Sequence, residues 1–302
     1  GTHSCISNDV KYHNLGTVIT DEEHLFGVEQ KELIVKKARD GVHSISMSAT
    51  PIPRTMANVL YGQSKEIKLI TQKPAGRLPI ITKASSDHNE VFNLIENQVK
   101  NGHQCYVVCP AIDDNENTDI VSIEQMYKMY SQHFSPLGIG VGVVNGKMKS
   151  TDTAKVISSF ADVNDHSCDI LLSTTVIEVG VNIPSATVMV IEQANRFGLA
   201  TLHQLRGRVG RSSYQSYCYL IAEETNNERL QTMVATNDGF KIAEADLRQR
   251  GTGDLIGQNQ SGINKFVEEM LDNPELFQQA AKLAEECIKK NIGNFLVAEY
   301  KE

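Results

Sequence analysis

Residues 203–211 read His203-Gln204-Leu205-Arg206-Gly207-Arg208-Val209-Gly210-Arg211. Three arginines and a glutamine stand among glycines, and no acid interrupts them. Arginine carries a planar fork of donors that matches phosphate oxygens, and glycine lets the backbone come close to a ligand. Arg208 and Arg211 are three apart, a spacing that puts them on one face if the segment is helical. Positive charge delivered in this way suits a nucleotide's terminal phosphate. The plainer alternative is a solvated basic helix, and the sequence around the string decides between the two.

Working backwards, the apolar run Leu15–Thr20 ends in Asp21-Glu22-Glu23-His24. A short apolar run that ends in acids predicts a buried parallel strand with carboxylates at its C-terminal tip. That edge is where open α/β sheets bind ligands. Adjacent carboxylates can divide the work, one holding Mg²⁺ and the next orienting or deprotonating water. Ser48-Ala49-Thr50-Pro51-Ile52-Pro53-Arg54 follows a second strand-like run, Ser44–Met47. Further on, Cys105–Cys109 and Ile139–Val144 are β-rich, and the latter leads into Asn145-Gly146-Lys147-Met148-Lys149. Asp169–Gly180 reads as a strand that feeds a short helix and carries the hydroxyls of Ser173, Thr174 and Thr175. Each string alone fits an ordinary strand or turn; their order and spacing do not fit coincidence.

In that order the strings resemble the motifs of superfamily 2 helicases. Residues 21–24 match the D-E-x-H box, Ser48–Thr50 the S-A-T motif, Asp169–Gly180 motif V, and Gln204–Arg211 motif VI, Q-x-x-G-R-x-G-R. More narrowly, Phe26–Gln30, Ala49–Thr55, Tyr106–Pro110, Arg196–Arg211 and Asp238–Asp246 resemble the RecG branched-DNA helicases. The resemblance runs through most of the chain and is least distinctive after Gly262. The sequence departs from the family pattern at Glu23, where a glutamine is usual, at Thr252, where a proline is usual, and at Asn259, where an arginine is usual. The role of the last position is therefore open. A transcription-repair coupling factor shares much of this motor; an RNA helicase and a nucleic-acid-binding module without catalysis are further alternatives.

The resemblance implies a set of roles. ATP and Mg²⁺ are the expected cofactors and would bind between two lobes in the intact protein. Asp21 would hold Mg²⁺ through water, and Glu22 would be the general base. Gln204, Arg208 and Arg211 would reach the γ-phosphate, and Gly180 of motif V would lie at the nucleotide. Thr2, Lys147, Thr174 and Thr175 would meet nucleic-acid phosphates. Arg229, Arg250 and Gln260 match polar contacts of the RecG translocation motif, a helical hairpin with a hook. The expected partner is branched double-stranded DNA, such as forks and Holliday junctions, with single-stranded DNA-binding protein as a further candidate. A monomer in the bacterial cytoplasm is expected. No G-x-x-x-x-G-K-[ST] phosphate loop occurs in the 302 residues. The resemblance places the start of the chain inside the first lobe, so a wedge domain is expected upstream and the chain alone is expected to be inactive.

Composition is consistent with this. The length suits roughly two domains, and no apolar run approaches the ~20 residues of a membrane span. The net charge of −8 means that nucleic acid would have to be met by local basic patches, at Lys147 with Lys149, at Arg206 to Arg211, and at Arg248 with Arg250. The six cysteines lack metal-type pairing and read as free thiols; Cys105 and Cys109 are spaced for one face of a strand.

The predicted fold class is α/β: a RecA-like parallel-sheet lobe, the second helicase lobe, with a partial first lobe and a C-terminal helical hairpin. Residues 1–72 are assigned to the partial first lobe and the proline- and glycine-bearing stretch 73–79 to a linker. Residues 80–222, where strands alternate with helices such as 88–101, 121–134 and 151–160, form the second lobe. Residues 223–262 form the hairpin and hook, with helices over 226–235 and 241–249 about the turn at 236–239. Residues 263–302 are assigned to C-terminal helices; 263–293 read as amphipathic helix, with Phe266, Met270, Leu276, Ala280, Leu283 and Cys287 recurring at helical spacing as a packing face.

Overall fold

The computed structural model describes residues 1–22, 26–38, 41–48, 67–72, 74, 76–110, 122–174, 183–250 and 273–290. The chain divides into two compact units, residues 1–51 and 52–302.

In the first unit β1 (Thr17–Thr20) pairs in parallel with β2 (His43–Ser46), Ile19 opposite Ile45. The strand is parallel, as its sequence predicts, but of its residues only Val18 is buried and Ile19 is 62% exposed. Among the described residues each strand of this pair has a single strand neighbour, and the apolar run of β1 is not a buried one there. Helix α1 (Val28–Lys36) follows, and a Lys36–Glu32 pair lies along its exposed face. Lys37 Nζ donates to the carbonyls of Ser7 and Val10, the latter at 2.9 Å, and fastens the N-terminal turn.

Among the described residues the second unit is built on six parallel strands: β3 (Ile81–Ser85), β4 (Gln104–Cys109), β5 (Val141–Val144), β6 (Ile170–Thr174), β7 (Ala186–Ile191) and β8 (Tyr217–Ile221). Their order is β3-β8-β7-β4-β6-β5. The central strand β4 is buried along its whole length, as a strand covered on both faces must be. Its side chains alternate between two cores. Tyr106 and Val108 join one, and Cys105, Val107 and Cys109 join the other. The one-face spacing of the two cysteines is thus realised, and both are free thiols.

Helices α2 (His88–Lys100), α3 (Ile123–Phe134) and α4 (Ser150–Ala161) fill the crossovers. Asp87 caps α2 by accepting the Asn89 N–H at 2.9 Å, and Val91, Phe92 and Ile95 form its buried stripe. Ser122 and Gln125 close a reciprocal capping box on α3. After β7 come α5 (Leu199–Arg206), β8, and a helical hairpin of α6 (Glu228–Ala235) and α7 (Gly239–Arg250). The hairpin lies where the sequence places it. The last described helix, α8 (Pro274–Lys289), forms, but Leu276 and Leu283 are exposed and Cys287 is half-buried. Helical spacing fixes which residues share a face and not what covers that face.

Candidate nucleotide-contacting site

Helix α5 begins at the N-cap Gly198 and buries Leu199, Leu202 and Leu205. Gln204 is half-buried on its flank. The helix stops at Arg206, where the Gly207 N–H reaches back to the His203 carbonyl at 3.0 Å. Gly210 then adopts φ +73°, a left-handed conformation that glycine takes at no steric cost. Arg208 and Arg211 therefore do not share a helix face. They flank a turn whose middle residue, Val209, is 2% exposed and belongs to the core with Tyr106 and Phe160. Pinning Val209 inward keeps both arginines half-buried at the surface.

The two guanidiniums influence each other. Partial burial lowers the Arg211 pKa, and the positive charges of Arg208 and Arg77 lower it further. Its Nε–H is held by the Gly207 carbonyl at 3.1 Å, which fixes the fork. Burial pushes the Tyr106 hydroxyl beneath them up to about 12, against the pull of both arginines. Concentrated, partly desolvated positive charge of this kind favours an incoming polyanion.

Arg206 is different: the sequence places it in a surface basic patch, and the fold buries it instead. It is 2% exposed. Its Nη1 donates to the carbonyls of Met233 at 2.8 Å and Thr236 at 2.9 Å, and to Thr82 Oγ1 at 3.4 Å. Its Nη2 lies 3.1 Å from His203 Nδ1. Burial lowers its pKa, while its ties are to the C-terminal carbonyls of α6. Arg206 thus joins the helix that carries Gln204 to the hairpin.

The remaining site candidates are placed as follows. Asp21 and Glu22 stand at the C-terminal tip of β1 in the first unit. Asp21 is exposed, and its Oδ1 accepts the Glu22 N–H at 2.9 Å; Glu22 has φ +50°. Thr2 is exposed beside the turn at His3–Ile6. In the second unit, Thr174 ends β6 and pairs with Cys109. Lys147 is exposed beyond β5, its N–H bound to Asn145 Oδ1 at 3.0 Å. Arg229 is half-buried, with Nη1 3.3 Å from the Phe197 carbonyl just ahead of α5. Arg250 is the last residue of α7, and its side chain is outside the described part. Thr175, Gly180, Gln260, Asn259, Glu23, His24 and Ala49–Arg54 lie outside the described residues.

The chain resembles known proteins over most of its length. Residues 88–213 match the model of the helicase conserved C-terminal domain, and residues 236–300 match that of "ATP-dependent DNA helicase RecG, domain 3, C-terminal". The ATP-dependent DNA helicase RecG of Staphylococcus aureus (strain Mu50 / ATCC 700699) is 42% identical over 300 residues, which is 97% of this chain and 43% of the relative. That of Staphylococcus epidermidis (strain RP62A) is 42% identical over 307 residues, 99% of this chain and 44% of the relative. A solved RecG bound to a three-way DNA junction superimposes with a TM-score of 0.62 at 36% identity, covering 89% of this chain and 35% of that one. The chain belongs to the RecG family. It spans less than half the length of the RecG relatives it matches. The helicase Lhr of Mycobacterium smegmatis, solved with single-stranded DNA and AMP-PNP, shares the fold at a TM-score of 0.51 and 17% identity, covering 76% of this chain and 32% of that one.

Within the stretch that matches the helicase C-terminal domain, one polar cluster follows no sequence motif. Glu192, which follows β7, is 3% exposed. It accepts from the Tyr130 hydroxyl at 2.7 Å and meets His88 Nε2 at 3.0 Å, joining α2 and α3 to the sheet. The hydrogen bond to Glu192 raises the His88 pKa above 6.5, and partial desolvation opposes the rise. A histidine whose folded pKa is raised contributes stability that is complete below its ordinary value and is lost as pH climbs through the raised one. In an NMR titration the His88 midpoint should therefore lie above 6.5 and fall back in Glu192→Gln. A midpoint unmoved by that substitution would contradict the pairing.

Proposed function

We propose that this chain is the motor portion of an ATP-dependent double-stranded DNA translocase that remodels branched DNA, stalled forks and Holliday junctions among it. The observation that carries the reading is the turn at 207–211, which holds two half-buried guanidiniums together on a buried valine. In this reading Arg208 and Arg211, with Gln204, contact the γ-phosphate of ATP and stabilise charge in the transition state. Glu22 orients or deprotonates the attacking water. Thr2, Lys147, Thr174 and Thr175 take DNA phosphates, and Gly180 approaches the nucleotide. The hairpin, with Arg229, Arg250 and Gln260, converts the nucleotide cycle into DNA movement. Residues 1–72 and 80–222 act as the two lobes, with 73–79 as their linker.

Asp21 suits Mg²⁺. It is an exposed carboxylate, a hard oxygen donor at a strand tip. Among the described residues no group of three or more His, Cys, Asp or Glu side chains forms a cage. Mg²⁺ needs none, because it binds through one or two carboxylates with phosphate oxygens and water. Bound there, it would neutralise charge on the β- and γ-phosphates. Among the described residues no helix is long and apolar enough to cross a membrane.

The test is ATP turnover and strand separation on a three-way junction. The full-length protein should hydrolyse ATP in a DNA-dependent way and separate the junction. The 302-residue chain alone, which carries no phosphate-loop motif, should release no phosphate above background. Robust DNA-stimulated turnover by the chain alone, or a full-length protein inert on the junction, would overturn the reading.

A further inference from the structure

Three segments far apart in sequence meet at Ile80. Asn237, in the turn between α6 and α7, donates its Nδ2–H to the Ile80 carbonyl at 3.1 Å. The Ile80 side chain lies directly under Gly210: a Cβ on that glycine would stand 2.8 Å from Ile80 Cγ1. The neighbours of Ile80 are gripped as well. The Pro79 carbonyl accepts from Gln215 Nε2 at 2.9 Å, and the Ile81 N–H donates to the Ser216 carbonyl at 3.0 Å. From the other side, Arg206 binds the same hairpin turn through the Thr236 carbonyl at 2.9 Å. The contacts close a ring: from α5 through Arg206 to the hairpin turn, through Asn237 to Ile80, and from Ile80 against Gly210 back to the arginine turn.

A closed ring of short contacts constrains each member by the others. The backbone at Gly210 is left-handed and directly precedes Arg211. Its packing partner therefore sets where the Arg211 guanidinium starts. Ile80 is held by its carbonyl, and the hairpin supplies the donor. We propose that Asn237 is a positioning residue for Arg211, acting through Ile80, so that the hairpin turn sets the geometry of the arginine turn. The proposal rests on the reading of Arg211 as a group that contacts ATP. Asn237 itself touches no nucleotide in it.

The test is steady-state ATP hydrolysis by the full-length protein with junction DNA. Asn237→Asp keeps the shape and removes the donor. It should lower kcat about 10- to 100-fold, the scale of a small misplacement of a catalytic group, with KM for ATP within about twofold. Ile80→Ala, which keeps the carbonyl but removes the side chain packed against Gly210, should do the same, and it carries the test if Asn237→Asp does not fold. In an Arg211→Ala background, Asn237→Asp should cost nothing more, because the group it positions is gone. An equal further loss in that background, or undiminished kcat in both single variants, would overturn the proposal. Near-normal turnover in Arg211→Ala itself would instead remove the reading on which the proposal stands, and the proposal with it.

Discussion

Arg208→Ala and Arg211→Ala are each expected to lower ATP turnover of the full-length protein by ~10³–10⁵-fold, the worth of an arginine aimed at a transferring phosphoryl group. Nucleotide affinity should change far less, because the charge they meet develops mainly in the transition state. The size of the effect follows from preorganisation. Val209 is locked in the core, Gly210 turns the chain, and the Gly207 carbonyl holds Arg211 Nε–H. The guanidiniums are thus set before the nucleotide arrives, and little ordering remains to be done at the moment of reaction. Burial first, and then the charge of Arg208, oppose protonation of Arg211, and a polyphosphate relieves that opposition. Arg211→Lys should not restore turnover, because a single ammonium cannot reproduce a fork tethered at Nε. Steady-state phosphate release, with binding of a fluorescent nucleotide measured alongside, separates the two effects. Near-normal turnover in both alanine variants would return these residues to the status of surface charges.

The sequence shows the sheet more fully than the site. The Cys105–Cys109 run is apolar at every position but one polar-capable ring, and it becomes the central strand covered on both faces. Helix spacing at residues 88–101 and 151–160 gives α2 and α4 to within a residue: the Asp87 cap and a buried stripe decide α2, and Val156, Ile157 and Phe160 packed on the core decide α4. The arginine string was legible as chemistry but not as shape. Gly207 and Gly210 break the helix there, and three arginines that look alike in sequence part company in space. Which of them is buried depends on the hairpin, whose turn contributes the Met233 and Thr236 carbonyls. Asn237 and Ile80 are 157 positions apart, and His88 and Glu192 are 104 apart. Neither pair follows a motif or a period. Such contacts are set by strand order, which places β3 beside β8 and brings Ile80, just ahead of β3, under the arginine turn.

Arg206→Ala is expected to destabilise the second unit by about 3 kcal/mol or more, through lost packing and orphaned carbonyls together. The side chain is among the largest that are fully buried. Among the described residues its charge meets carbonyl oxygens and an imidazole nitrogen and no carboxylate. That arrangement is stable because the carbonyls belong to the C-terminal end of α6, which carries partial negative charge. Removing the guanidinium leaves the Met233 and Thr236 carbonyls buried without their donor and opens a cavity between α5 and the hairpin. For a unit of this size, 1 kcal/mol corresponds to roughly 2–4 °C in Tm, so a fall of roughly 6–12 °C is expected. Arg206→Met should fall less, because the apolar stem still fills the space. Arg206→Lys should fall nearly as far as alanine, because one desolvated ammonium cannot reach both carbonyls and His203 at once. Arg208→Ala and Arg211→Ala should melt within about 2 °C of the parent, since half-buried side chains at the surface contribute little to stability. Thermal and urea unfolding of the five variants separates the arginine that holds the fold from the two assigned to chemistry. If Arg206→Ala melted alongside the other two, the buried tie between α5 and the hairpin would have to be abandoned, and with it the ring of contacts that runs through Ile80.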